Sequence, residues 1–220
     1  MSTTRDVYLR GCGEIAAALA GEGFTYTKSY PKVVRKRGDW RSEIRFSSNR
    51  YNDAAMLVEL WIDVVVYSKR LAAWRKHQPP WPVEDGCVGG LSLACLSPEL
   101  ATVRWNLLHD TAVAEAVGAI RQTALPYCAL LEDPEQLAAA LLVEDVRGIQ
   151  PSWAVDALHC FVGPEAARRY TSAVLARHPD VAPRVRAAMM RARAGEPPAG
   201  PANVYEDLGI RLVRLGLEVE

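Results

Sequence analysis

The chain reads as an α+β protein with an N-terminal helix, a mostly antiparallel sheet of about five or six strands, and a C-terminal helical bundle. Three observations predict this. Apolar and polar residues alternate with period two through residues 24–67, then recur at helical spacing from residue 111 onward. Helix starts repeat through the second part at Asp133-Pro134, Pro151, Pro164 and Asn203. Between two strand-like runs stands Gly38-Asp39, a pair suited to the tight turn of an antiparallel hairpin. We expect residues 1–147 to form the sheet domain and residues 148–220 a helical extension packed on it, or both to fold as a single domain.

The elements follow in order. Val7, Ile15, Ala16 and Leu19 lie at roughly helical spacing and stop at Gly21 and Gly23, which predicts a helix over 7–20. "FTYTKSY" then reads as a strand ended by Pro31. Val33–Arg37 and Trp40–Ser47 flank the Gly38-Asp39 turn, and that turn fixes the register: Arg37 faces Trp40, Arg35 faces Ser42, Val33 faces Ile44. One side of the hairpin is therefore mixed apolar (Val33, Arg35, Arg37, Trp40, Ser42, Ile44, Phe46). The other carries Lys32, Val34, Lys36, Arg41, Glu43 and Arg45. The next strand has a wholly apolar face, Met56, Val58, Leu60, Ile62, Val64 and Val66, opposite Glu59, Trp61, Asp63 and Tyr67.

Residues 68–77 suggest a short helix, "QPPWPVEDG" a proline-rich connector, and Leu91–Leu96 and Thr102–His109 two further strands. Helices are expected over Thr111–Thr123, Asp133–Val143, Pro151–Phe161, Pro164–His178 and Val181–Ala194. "GEPPAGPA" is a linker, and Asn203 with Glu206 opens a last helix in the manner of a capping box.

Composition bounds the function. The 220 residues carry 26 Lys or Arg and 26 Asp or Glu, so the formal net charge is zero. That neutrality hides an asymmetry: residues 1–76 hold 14 basic and 8 acidic side chains, and the remainder is acidic by the same margin. The basic surplus concentrates in "PKVVRKRGDWRSEIRF", with six Lys or Arg against two acids. Charged residues interrupt every long apolar run, so a secretory signal and a membrane span are not expected. The five cysteines are scattered and never spaced C-x-x-C, which predicts reduced thiols in a cytoplasmic protein.

No nucleotide, dinucleotide or hydrolase motif occurs, and the four histidines are far apart with no metal-binding spacing, so neither a cofactor nor a metal site is expected. His159-Cys160 does not make a catalytic dyad, because adjacent helix residues diverge by about 100°. His109-Asp110 reads as a strand-end polar pair. The candidate ligand-binding set is Arg35, Arg37, Trp40, Arg41, Arg45, Glu59, Trp61 and Asp63. If the hairpin and the long strand match their apolar faces, Glu59 and Asp63 stand beside Arg41 and Arg45. The carboxylates lie roughly 13 Å apart on one strand, too far for a paired acid/base of the retaining-glycosidase kind at about 5 Å. Arg35, Arg37 and Trp40 could instead line a cleft for a planar anion. Arg184, Arg186, Arg191 and Arg193 form two rows along one helix, which reads first as a solvated face and otherwise as phosphate contacts.

A helix ending in "GEGF", a basic hairpin, "IRFSSNRYN", the strand "VELWIDVVV" and the later "TALPYCALLEDPEQLAAALL" together resemble the bacterial domain of unknown function family 4304, over roughly residues 7–143. The resemblance implies a bacterial cytoplasmic α+β domain and transfers no functional residues.

The function expected first is non-catalytic binding of an acidic protein partner or a small anionic ligand. An immunity-like role is an analogy from size and class, since fold does not fix function. The alternative is a small-molecule enzyme with a cleft on the mixed sheet face, and the third is a nucleic-acid binder. Whether the mixed face is covered or open separates the first two.

Overall fold

The computed structural model describes residues 3–78, 86–196 and 203–217, and the two proline-rich connectors expected around 79–85 and 197–202 fall outside them. Thr4–Ala18 form helix α1, which starts earlier than residue 7 because Thr3 and Asp6 close a capping box: the Asp6 N–H donates to Thr3 Oγ1 at 3.2 Å and the Thr3 N–H to the Asp6 carboxylate at 3.0 Å. The helix buries Val7, Cys12, Ile15 and Leu19. Gly23 turns the chain in the left-handed region at φ 84°, as the glycine stop implied.

Six strands follow among the described residues: β1 (Thr25–Thr27), β2 (Lys32–Arg37), β3 (Trp40–Ser48), β4 (Glu59–Ser68), β5 (Cys87–Ser92) and β6 (Trp105–Asn106). They form one sheet in the order β1-β2-β3-β4-β5, with β6 also paired to β4. β1–β2, β2–β3 and β4–β6 are antiparallel. Val33, Ile44, Val58, Leu60, Ile62, Val64 and Val66 are buried at 0–1% exposure and make the sheet's contribution to the core.

Four details depart from the sequence expectation. Met56 does not join the apolar face and is 77% exposed. Residues before β4 fold into a turn around Asp53, whose carboxylate accepts from the Ala55 N–H at 2.8 Å and whose carbonyl accepts from the Leu57 N–H at 2.8 Å. The strand expected at Leu91–Leu96 lies earlier, as β5, and Leu93–Leu96 coil into the short helix α3. Glycine hides β5 from pattern reading: a Cβ at Gly90 would stand 2.8 Å from the Val64 carbonyl oxygen, so close approach replaces side-chain alternation. The strand expected over Thr102–His109 shrinks to β6. Finally, the helix over Thr111–Thr123 is α4 (Ala112–Ala119), which passes through a π-helical turn at Ile120–Ala124 into α5 (Leu125–Glu132). Pro126 has no N–H for the preceding turn, and the wider turn carries the chain past it.

The remaining helices are α2 (Lys69–Lys76), α6 (Pro134–Val143), α7 (Pro151–Phe161), α8 (Pro164–Arg177), α9 (Ala182–Arg193) and α10 (Val204–Arg214). α6, α7, α8 and α10 start at the expected Asp133-Pro134, Pro151, Pro164 and Asn203, but Glu206 pairs with Arg191 at 3.5 Å rather than completing a capping box with Asn203. The Asp133 carboxylate accepts from the Glu135 and Gln136 N–H groups, and Asn203 Oδ1 accepts from the Tyr205 N–H.

The described residues group into two compact units that interleave in sequence: residues 3–67 with 90–130, and residues 68–78 and 86–89 with 131–196 and 203–217. The first holds α1 and most of the sheet. In the second, α7 packs against α2, α6, α8 and α10, and α10 lies along α9. A Cβ at Gly209 would stand 2.5 Å from the Val185 carbonyl oxygen, so glycine is what lets α10 approach α9. Within this unit Asp156 is fully buried between Arg75 (Nε–Oδ2 2.8 Å) and Arg211 (Nε–Oδ1 3.0 Å). Among the described residues no helix is long and apolar enough to cross a membrane. Cys12, Cys87, Cys95, Cys128 and Cys160 are free thiols.

Candidate functional site

The β2–β3 hairpin has the register its turn implied: Arg37 pairs with Trp40, Arg35 with Ser42 and Val33 with Ile44. Gly38 takes φ 56° while Asp39 stays at negative φ, the pattern of a type II′ turn, whose twist suits the two strands. Period two then sorts the side chains onto two faces with different fates.

The mixed face is buried. Val33 and Ile44 are at 0% exposure, Phe46 at 4%, and Arg35 at 6% with its guanidinium 4.9 Å above the centre of the Phe24 ring. Arg35 therefore serves as a packed, ring-stacked side chain. Arg37 is exposed and Trp40 half-buried at the turn end of the same face. Around Arg35 the face is packed, whereas its turn end at Arg37 and Trp40 is not.

The basic face looks to solvent and is organised around one carboxylate. The Glu43 side chain is only 3% exposed; it accepts from Lys32 Nζ at 3.0 Å and Arg45 Nε at 2.9 Å and pairs with Arg41 Nε at 3.4 Å. Burial works to raise its pKa, but the bonds from Lys32 and Arg45 and their charges outweigh that and hold the carboxyl below its ordinary range. Arg41 lays its guanidinium 4.3 Å above the Tyr67 ring, and Arg45 Nη2 donates to the Tyr67 hydroxyl at 2.5 Å. Lys36 is exposed, directly across the ladder from Arg41. Together with Thr25 and Thr27 on β1, the side chains of Lys32, Lys36, Arg41 and Glu43 line a shallow basin of about 500 Å³.

Of the two acids of β4, Glu59 stands elsewhere than expected, while Asp63 lies near Arg45. Glu59, 7% exposed, pairs with Arg104 (Nε–Oε1 3.2 Å) and accepts from Asn49 Nδ2 at 3.2 Å, so it does not neighbour Arg41 or Arg45 as a counter-charge. Asp63 is half-buried. Burial pushes its carboxyl up and the nearby Arg45 charge pulls it partly back. The strands therefore meet with Tyr67, rather than Asp63, under Arg41. Trp61, on the same face of β4, is 48% exposed.

Of the eight candidate residues, the structure gathers Arg41, Arg45 and Asp63 in one network, sets Trp61 further along that face, and removes Arg35 to the core. Sequence reasoning did not count Lys32, Lys36, Glu43, Tyr67 or the two threonines among the site residues. Strand alternation already placed Lys32, Lys36 and Glu43 on the basic face. Alternation likewise placed Tyr67 on the β4 face of Glu59, Trp61 and Asp63, without indicating that it would lie under Arg41, and Arg104 gave no signal.

Comparison with known proteins found no family, no curated protein and no solved structure that matches this chain. What the face can do therefore follows from its own chemistry. Glu43 is locked as a carboxylate by three cations and cannot trade protons near neutral pH, so it is an internal counter-ion rather than an acid or base. Lys32, Arg41 and Arg45 on Glu43, with Lys36 across the ladder from Arg41 and Asp63 near Arg45, leave a positive surplus on this face, which can attract and hold an anion.

Proposed function

We propose that this is a non-catalytic binding protein whose open basic sheet face takes an acidic partner, an acidic protein or a small anion seated in the same basin. The observation that supports this is the contrast between the faces of one hairpin. Most of the side that could have formed a catalytic cleft is buried, and the side that remains open carries Lys32, Lys36, Arg41 and Arg45 close to the buried carboxylate of Glu43. The free thiols fit the cytoplasmic setting we assign.

Fluorescence anisotropy with labelled octaglutamate and with a DNA duplex, at about 50 and 200 mM salt, tests the proposal. The choice of variant follows from the network. Arg45 bonds the buried Glu43 at 2.9 Å and Arg41 pairs with it more loosely at 3.4 Å, so Arg45 is kept and Lys36→Glu combined with Arg41→Gln is the probe. Octaglutamate should bind with one-to-one stoichiometry and modest salt dependence, and the double variant should lose it while melting normally, since exposed ion pairs contribute only about 0–1 kcal/mol each. Unchanged binding by the double variant would refute the proposal. Tighter DNA binding, with a log–log salt slope near −0.9 per phosphate, would assign the face to nucleic acid instead.

A further inference from the structure

The open face does not end at the basin. Along β4 it continues to Trp61, an indole 48% exposed in the middle of a strand. Beside Trp61 the outer edge of β4 changes partner. At Glu59 and Leu60 it pairs with Asn106 and Trp105 of β6, and further on it lies against β5, where Ser92 Oγ reaches the Ile62 carbonyl oxygen at 3.5 Å. The gap between the two partners is a notch of about 260 Å³, lined among others by Leu60, Trp61, Ser92, Cys95, Val103 and Arg104.

Size and composition narrow what fits. The notch is smaller than the roughly 300–1,000 Å³ typical of small-molecule sites, and it suits one large side chain. Exposed Trp beside Arg is the pairing enriched at the energetic centres of protein interfaces. The strands β1 to β5 have 3, 6, 9, 10 and 6 residues, roughly 10–33 Å each at about 4.8 Å spacing, so the face offers on the order of 500 Å². That approaches the lower end of one partner's share in a standard protein–protein interface, about 600–1,000 Å². A small anion would occupy the basin and leave Trp61 and its notch in water. A single-stranded nucleic acid would need a run of open aromatic faces for successive bases, and with Arg41 covering the Tyr67 ring at 4.3 Å this face offers Trp61 without a second ring beside it among the described residues.

We propose that the occupant of this face is a protein, which lays an acidic surface over the basin and sinks one aromatic or branched aliphatic side chain into the notch beside Trp61, a proposal that rests on the anion-binding reading of the basin. Charge complementarity at Lys36 and Arg41 guides the encounter, and the buried side chain supplies specificity. The basin and the notch are two strand spacings apart between β2 and β4, about 10 Å, a distance that a peptide of about twelve extended residues covers with length to spare.

Two labelled peptides of about that length, glutamate-rich and differing only in a central Phe or Ala, test the proposal by anisotropy against the full chain. The Phe peptide should bind the wild type at least about tenfold tighter than the Ala peptide, a difference of 1.4 kcal/mol. Trp61→Ala should reduce that ratio to less than about twofold and leave the Ala peptide's affinity unchanged. Cys95→Phe, which fills the notch from its rim, should do the same and guards against an indirect effect of losing Trp61. Equal binding of the two peptides, with both weakened by Lys36→Glu and Arg41→Gln, would overturn this inference and leave the basic basin standing. Binding of both peptides that ignores that double variant would overturn the basin as well. Binding of oligothymidylate that exceeds the Phe peptide and depends on Trp61 would give the face to single-stranded nucleic acid and refute the protein partner.

Discussion

Asp156→Asn takes away a carboxylate that two buried guanidiniums share. Asp156 is 0% exposed, and the side chains of Arg75 and Arg211 are 8% and 2% exposed. Burial pushes the Asp156 carboxyl up, and the charges of Arg75 and Arg211 pull it back. Removing the acid takes from both buried guanidiniums the carboxylate they share, and the cost of breaking a buried pair is about 3–5 kcal/mol. Both pairs fail at once here, so the upper part of that range is expected. For a chain of this length each kcal/mol moves Tm by about 2–4 °C, so the variant should melt roughly 8–20 °C below the wild type. Circular dichroism melts and urea unfolding give the number. The companion variant replaces all three residues with apolar ones, Asp156→Leu, Arg75→Met and Arg211→Leu. It should recover most of the loss, because an apolar cluster of similar volume is often as stable as the ionic one. Asp156→Asn melting within about 2 °C of the wild type would refute the claim that the carboxylate compensates those charges.

Three other outcomes follow from the same structure. Leu60 is 1% exposed on the apolar face of β4, and Leu60→Asp buries an unpaired carboxylate at a cost of several kcal/mol against a total near 5–15; a soluble variant that melts cooperatively would contradict the assigned face. Gly209→Val should destabilise the second unit by at least about 1–3 kcal/mol, since its Cβ would meet the Val185 carbonyl at 2.5 Å, and an unchanged urea midpoint would count against the close α9–α10 contact. The Glu43 pKa is depressed on folding, so its contribution to stability is present above its ordinary value of 4.5 and is lost as pH falls through the lower folded value. Wild type should therefore exceed Glu43→Gln in urea midpoint at neutral pH and converge with it in acid, and a gap that widened below pH 4.5 would contradict the ion-pair network.

Local rules made much of the fold legible. The Gly38-Asp39 turn and period two fixed the hairpin register and both its faces, because a one-residue slip would have moved every side chain to the other side. Proline and Asp or Asn caps marked the starts of α6, α7, α8 and α10 for the same local reason. β5 escaped because its middle is Gly89-Gly90, where the backbone itself makes the contact. Met56 was misplaced because an apolar residue before a strand carries the same alternation whether or not Asp53 closes a turn ahead of it. In the site, the clustering of cations on one face was readable. The role of Glu43 was not, since its burial depends on three long side chains converging from two strands. The same holds for Arg104, which reaches Glu59 from a loop 45 residues away in sequence, and for the notch beside Trp61, which exists only where two strands share one edge.

The central claim is that the charge surplus of the β2–β3 face is what binds an acidic partner, and Glu43→Gln tests it by sign. Substitutions that remove cations can weaken binding for many reasons, whereas removing the internal counter-ion can strengthen it only if the ligand sits on this face. At about 4 Å a unit charge in water contributes about 1 kcal/mol, so octaglutamate should bind Glu43→Gln about fivefold more tightly than wild type at low salt, measured below the melting range of both proteins. Equal or weaker binding by a Glu43→Gln protein that is still folded would contradict the account.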